Sequence, residues 1–147
     1  AIHAVGKRPT VISGKSFLIT PHAYEFFTLT GKAIYQLPEE EKIKIVQEEA
    51  ARLQTTILLK GATDIISDGK EVALSKTGTP YMTVGGTGDT LAGITGALMA
   101  RGINAFKSAQ AAAQINGLAG ELAGKKLGES MTATDLIDEI SNVIPKF

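Results

Sequence analysis

Short apolar runs with turn residues between them mark four strands in the first part of the chain. Residues 16–20 and 56–60 are continuous apolar segments, typical of strands buried on both faces. Residues 65–72 predict a hairpin with Asp68 and Gly69 as its turn. Residues 81–84 predict a further strand, which leads into a glycine-rich turn.

Helical spacing separates and then follows these strands. A short helix over residues 24–29 ends at Gly31, and a longer one opens at Pro38 with acidic residues in its first turn, where the helix dipole favours them. Its apolar face is formed by Ile43, Val46, Ala50 and Leu53. Three more helices are predicted over residues 90–101, 105–123 and 135–143, the last with Thr134 as its N-cap.

The order of these elements predicts an α/β layered fold with a mostly parallel sheet and one hairpin. In such folds ligands bind beyond the carboxyl ends of the strands. Three turns follow predicted strands: residues 20–22, the Lys60-Gly61 turn and residues 85–89. We therefore expect these turns to share one edge of the sheet.

Composition narrows the classes of function. The 147 residues suffice for one domain with a real core, and 44% are hydrophobic. The formal net charge of zero gives no reason to expect nucleic-acid binding, and the apolar runs are too short to span a membrane. No secretory signal pattern is visible, so a cytoplasmic location is expected. The chain starts at Ala1 without Met, and we expect it to be part of a larger domain.

The sequence Gly-Gly-Thr-Gly-Asp-Thr-Leu-Ala-Gly at residues 85–93 carries the strongest chemical signal. A glycine-rich turn that opens a helix presents unpaired amide groups, here those of Gly86, Thr87 and Gly88, and is a natural site for an anion such as phosphate. Asp89 would repel that anion unless it takes a proton or holds a metal. The alternative is a helix N-cap role for Asp89, worth about 1 kcal/mol.

Several motifs together resemble the ADP/ATP-dependent NAD(P)H-hydrate dehydratase family of the ribokinase-like superfamily. Besides residues 85–93, they are Thr20-Pro21-His22-x-x-Glu25, Leu59-Lys60-Gly61-Ala62, Gly78-x-Pro80-x-Met82, and residues 117–123 and 131–137. The resemblance runs over nearly the whole chain. It implies that residues 1–147 are the C-terminal part of one ribokinase-like three-layer α/β/α domain.

The resemblance also implies roles for individual residues. Asp89 matches the catalytic base and, with His22, contacts hydrated NADH or NADPH, whereas a bland alternative makes His22 a helix-start residue that packs on Glu25. Asn116 and Thr79 stand where many relatives have other residues, and neither is given a role. The nucleotide-binding positions implied are Lys60, Gly61, Ala62, Thr63, Asp64 and Gly88.

The reaction implied is a metabolite repair. A nucleotide, ADP or ATP with Mg²⁺, would phosphorylate the hydroxyl of the hydrated nicotinamide ring, and loss of phosphate would restore NAD(P)H. No metal ligands are recognised in the chain. The resemblance further implies a homo-oligomer and a partner epimerase, as a domain or a separate protein, for the same damaged cofactor.

Two alternatives remain open at this stage. One is a ribokinase-like small-molecule kinase, for a sugar or hydroxyethylthiazole, with the same base and anion hole. The other is an adenine-nucleotide-binding fragment without catalysis.

Overall fold

A computed structural model describes residues 5, 11–14 and 16–144. The chain divides into two compact units, Ala1–Leu74 and Ser75–Phe147. In the part of the chain that is described, no helix combines the length and the hydrophobicity needed to cross a bilayer.

Within residues 16–74, the first unit contains two α-helices and most of a four-stranded sheet. The sheet has the order β1-β2-β3-β4, and its last strand ends at the first residue of the second unit. The elements are β1 (Leu18–Ile19), α1 (Ala23–Thr30), α2 (Glu39–Leu53), β2 (Thr56–Leu59), β3 (Asp64–Ser67) and β4 (Val72–Ser75).

The sheet is mixed. Strands β1 and β2 are parallel, with Ile19 opposite Ile57, as the sequence predicted. Strands β2 and β3 are antiparallel, with Leu58 opposite Ile66, because the four residues between them are too few for a parallel crossover. The predicted hairpin is present as β3 and β4, but its connection has four residues, 68–71, rather than two.

Local sequence signals explain where the first unit's helices begin and end. Helix α1 starts at the N-cap His22 and stops at Gly31, whose φ of 74° is the left-handed conformation that glycine adopts without strain. Helix α2 follows Pro38 and carries three glutamates in its first turn. Its buried residues Val46, Ala50 and Leu53 join Phe26 and Ile57 in the core, as the predicted apolar face required.

The second unit is helical. Helix α4 packs against both α3 and α5. The elements are a single 3₁₀ turn (Pro80–Met82), α3 (Thr87–Ala100), α4 (Ala105–Leu127), a second 3₁₀ turn (Gly128–Ser130) and α5 (Ala133–Val143).

The second unit differs from four of the predictions. The strand expected over residues 81–84 is wrong, because the chain makes a 3₁₀ turn that begins at Pro80, a residue whose fixed φ suits a turn start. Helix α3 begins at Thr87 rather than residue 90, and α4 continues to Leu127 rather than stopping at residue 123. The N-cap of α5 is Thr132, not Thr134.

Candidate functional site

The glycine-rich turn forms the N-terminus of α3. Gly86 is the N-cap and has φ 99°, and a Cβ added to it would lie 2.8 Å from the Ala133 Cβ. The Thr87 hydroxyl holds the turn by donating to the Met82 carbonyl (2.8 Å) and the Val84 carbonyl (3.1 Å). The backbone of the turn is therefore fixed by its own residues and by packing from α5.

The first amides at the start of α3 have no acceptor among the described residues. The amides of Asp89 and Thr90 donate to the Gly86 carbonyl at 3.0 Å, which begins the helical ladder. Across the described residues, the amides of Gly86, Thr87 and Gly88 donate to no acceptor. Three unpaired amides at the positive end of a 14-residue helix form the arrangement that binds anions.

The Asp89 carboxylate lies in the first turn of α3 and is exposed. It does not cap the helix, since Gly86 is the N-cap and no side chain bonds to the first amides. Its oxygens have no hydrogen-bond or ion-pair partner in the described part of the chain. The carboxylate is thus available to accept a proton, whereas the alternative of an N-cap role is wrong.

Helix α4 braces this turn through Asn116. The Asn116 side chain is 5% exposed, and its Oδ1 accepts from the Thr90 hydroxyl at 2.7 Å. Its Nδ2 donates to the Thr87 carbonyl at 3.4 Å. No local sequence pattern indicates this contact, because Asn116 lies 26 and 29 residues from its partners along the chain.

Three glycines on α4 allow close packing of the segment that precedes the glycine-rich turn. A Cβ on Gly117 would lie 2.1 Å from the Thr77 Oγ1, and one on Gly120 would lie 2.2 Å from the Met82 Sδ. A Cβ on Gly124 would lie 2.9 Å from the Thr79 Cγ2. Two of the motifs singled out in the sequence, residues 78–82 and 117–123, are therefore packing partners.

In the first unit, Glu25 links two predicted site residues. The amides of His22 and Glu25 each donate to the other's side chain, at 2.9 and 3.3 Å, in a capping box. Because the His22 Nδ1 accepts from an amide, its ring proton lies on Nε2, 3.4 Å from the Glu25 carboxylate. The same carboxylate lies 3.7 Å from the Lys60 Nζ.

The structure thus places His22 and Lys60 together at the ends of β1 and β2, where the Lys60 amide also donates to the Pro21 carbonyl at 2.8 Å. His22 packs on Glu25 at the start of α1, as the alternative to a substrate contact predicted. The His22 side chain is nevertheless 52% exposed. A substrate contact for His22 stays a prediction.

Five of the six predicted nucleotide-binding residues lie between β2 and β3: residues 60–63 form the turn, and Asp64 is the first residue of β3. The Gly61 amide donates to the Asp64 Oδ1 at 2.9 Å, so this carboxylate closes its own turn. Burial raises the pKa of Asp64, although the Gly61 hydrogen bond and the charge of Lys60 oppose the rise. Residues 60–63 line a pocket of about 240 Å³, together with Ala23, Ile34, Tyr35, Glu39, Lys42, Leu59 and Ile65.

Comparison with known proteins decides the family. The family model for NAD(P)H-hydrate dehydratase matches residues 7–142. The chain belongs to the NAD(P)H-hydrate dehydratase family. The recognition made from the motifs is therefore confirmed.

Individual members of the NAD(P)H-hydrate dehydratase family are similar in sequence to this chain. The ADP-dependent (S)-NAD(P)H-hydrate dehydratase of Nitrosopumilus maritimus is 46% identical over 137 residues, which are 93% of this chain and 47% of that protein. The bifunctional NAD(P)H-hydrate repair enzyme Nnr of Hyperthermus butylicus is also 46% identical, over 97% of this chain and 27% of that protein. The chain thus spans half or less of the length of these curated relatives.

The fold class is confirmed by solved structures. The ADP/ATP-dependent NAD(P)H-hydrate dehydratase of Bacillus subtilis, co-crystallised with ATP and Mg²⁺, matches with a TM-score of 0.78 and 28% identity. The match covers 90% of this chain and 50% of that one. The α/β elements described above are therefore about half of a ribokinase-like dehydratase fold.

Proposed function

We propose that this chain takes part in the nucleotide-dependent dehydration of hydrated NAD(P)H, with Asp89 as the catalytic base and the amides of Gly86, Thr87 and Gly88 as the anion hole. The observation that supports it most is the first turn of α3. There, an exposed and unpartnered carboxylate stands among three amides without acceptors. The curated relatives of this family carry the corresponding activity in their names.

The first step would transfer a phosphoryl group. Hydroxide is a poor leaving group, so the hydroxyl on the reduced nicotinamide ring attacks the terminal phosphorus of the nucleotide and becomes a phosphate ester. Asp89 accepts the hydroxyl proton as the new O–P bond forms, a role worth about 10²–10⁴ in rate. The three amides stabilise the negative charge on the transferring group, and the shorter nucleotide leaves.

The second step would eliminate phosphate. The C–O bond breaks with both electrons going to phosphate, a neighbouring ring carbon loses a proton, and the ring double bond is restored. In the first unit, Lys60, Gly61, Ala62, Thr63 and Asp64 are proposed to contact the nucleotide, as is Gly88 in the second unit. His22 is proposed to contact the hydrated cofactor through its exposed ring.

Magnesium is expected to accompany the nucleotide, as in the solved B. subtilis relative. Among residues 5, 11–14 and 16–144, no three His, Asp or Glu side chains group closely enough to hold a metal ion. The described residues therefore do not form a dedicated magnesium cage. Mg²⁺ usually binds through one or two carboxylates plus substrate phosphates, and no step above is assigned to it.

The test is an assay of this chain with hydrated NADH and either ADP or ATP. We expect the absorbance of reduced nicotinamide to increase with time as NADH is restored. Asp89→Asn should lower turnover by about 10²–10⁴ while leaving ADP affinity within about twofold, because an amide cannot take the proton. Asp138→Asn, which alters an exposed carboxylate on α5, is the matched control and should leave turnover unchanged.

Other outcomes would point to the two alternatives. A stable phosphorylated alcohol, formed without recovery of NADH, would indicate a small-molecule kinase with the same base and anion hole. Binding of ADP with no turnover, and no effect of Asp89→Asn, would indicate a nucleotide-binding piece without catalysis. Full turnover by Asp89→Asn would show that another group is the base.

Several finer expectations stay predictions. The choice of ADP or ATP is to be read from the assay above, and ADP is favoured because the N. maritimus relative is named ADP-dependent. Homo-oligomer formation and a cytoplasmic location are expected from the resemblance and the sequence. A partner epimerase activity is consistent with the name of the bifunctional H. butylicus relative.

A further inference from the structure

The pocket in the first unit is lined partly by residues that the predicted nucleotide contacts do not include. Besides residues 60–63, its polar lining includes Tyr35, Glu39 and Lys42. Its apolar lining includes Ile34, Leu59 and Ile65, each 4% exposed or less. The pocket therefore combines buried apolar side chains with a tyrosine ring, a carboxylate and two ammonium groups.

Lys42 is the first unusual feature of this lining. It lies in the first turns of α2 and is partly buried, yet its ammonium has no hydrogen-bond or ion-pair partner among the described residues. Lys60, the other cation of the pocket, is paired with Glu25 at 3.7 Å. Since a half-buried ammonium without an acceptor is unfavourable, Lys42 is suited to donate to an acceptor on a ligand.

Tyr35 is the second. Tyr35 is 53% exposed although it lines the pocket, so its side chain is accessible to a bound molecule. Tyrosine rings stack on nucleobases, because every base presents a π-face. The volume of about 240 Å³ lies below the roughly 300–1,000 Å³ of pockets that enclose a whole drug-sized ligand, so the pocket fits a ring system rather than an entire nucleotide.

We propose that this pocket binds the purine ring of the nucleotide, with Tyr35 stacking on the ring and the Lys42 ammonium donating a hydrogen bond to a ring nitrogen. The proposal rests on the proposed nucleotide dependence of the reaction. It adds two contacts, both outside the segment of residues 60–64. Neither contact involves the glycine-rich turn of the second unit.

The experiment measures equilibrium binding of AMP and of adenosine to the full chain by titration calorimetry. Tyr35→Ala and Lys42→Met should each weaken both ligands about tenfold, since stacking and ring hydrogen bonds are common to both. Tyr35→Phe should bind within about threefold of the wild type, because the aromatic face remains. Lys44→Met is the control, because Lys44 is exposed on the same helix and does not line the pocket.

Four results would overturn the proposal. Unchanged adenosine affinity in Tyr35→Ala would remove the stacking contact. Loss of AMP but not adenosine affinity in Lys42→Met would place that ammonium on the phosphate instead of the ring. If the wild-type chain binds neither ligand, the proposed nucleotide dependence fails as well, whereas normal AMP binding by both variants rejects the pocket alone. Circular dichroism and the thermal midpoint would establish that each variant is folded.

Discussion

Replacing Asn116 by Ala tests whether the anion hole depends on a brace outside it. The change removes the short hydrogen bond from the Thr90 hydroxyl and the longer one to the Thr87 carbonyl. The Thr90 hydroxyl keeps an acceptor, because it also lies 2.7 Å from the Thr87 carbonyl. No buried donor is therefore left unsatisfied on the Thr90 side.

The expected loss of stability follows from those contacts. One short and one long hydrogen bond from a buried side chain contribute about 1–2 kcal/mol together. In a chain of this length, that corresponds to a fall of roughly 3–8 °C in the thermal midpoint. Gln114→Ala, on an exposed position of the same helix, should change the midpoint by less than about 2 °C.

The functional expectation separates a brace from simple packing. Asn116 contacts Thr87 and Thr90 in the first turn of α3. Its loss should therefore loosen the Thr87 and Gly88 amides and weaken ADP binding by several-fold. Adenosine, which has no phosphate for those amides, should bind as tightly as before. Both affinities can be measured by calorimetry below the midpoint of the variant. A lower midpoint with an unchanged ratio of ADP to adenosine affinity would refute the brace and leave Asn116 a packing residue.

Two further predictions concern other parts of the fold. Gly120→Ala should destabilise the protein by about 1–3 kcal/mol in a denaturant titration, because the new Cβ would meet the Met82 Sδ, whereas Gly93→Ala on α3 meets nothing within 4 Å and should stabilise by about 0.5–1 kcal/mol. Equal effects of the two substitutions on stability would contradict the close packing of residues 77–82 on α4. Because burial raises the pKa of Asp64, the folded state favours its protonated form, so this carboxyl lowers stability as pH rises from its ordinary range through the raised value. Asp64→Asn keeps an oxygen for the Gly61 amide, and its thermal midpoint relative to the wild type should be higher at about pH 7 than at about pH 4; an advantage independent of pH would contradict this.

Elements with strong local signals could be predicted from the sequence. Gly31 ends α1, Pro38 and its following glutamates open α2, and the Asp68-Gly69 pair marks the hairpin, since each signal acts on its own backbone within a few residues. The parallel pair of β1 and β2 was also predictable, because a helical segment of sufficient length separates them. As a result, the turn that holds Lys60 was placed correctly beside the one that holds His22.

Features that depend on distant residues could not be predicted. Residues 81–84 resemble a strand in composition, but Pro80–Met82 form a 3₁₀ turn. This segment packs against Gly120 and Gly124, about 40 residues later, where a larger residue would leave no room. The contact of Asn116 with Thr90 has the same character, because nothing in either local sequence indicates it. Sequence periodicity reports which face of an element is apolar, not which element will cover it.

The two glycines that open the glycine-rich turn have different physical reasons to be glycine. Gly86 is required by the fold, since its φ of 99° and its approach to Ala133 both exclude a side chain. Gly85 has neither constraint, because its φ is not in the left-handed region and a Cβ there would meet nothing within 4 Å. The fold therefore gives no reason for glycine at position 85. A bound group that approaches the backbone closely, as a transferring phosphoryl would at this helix start, does give one.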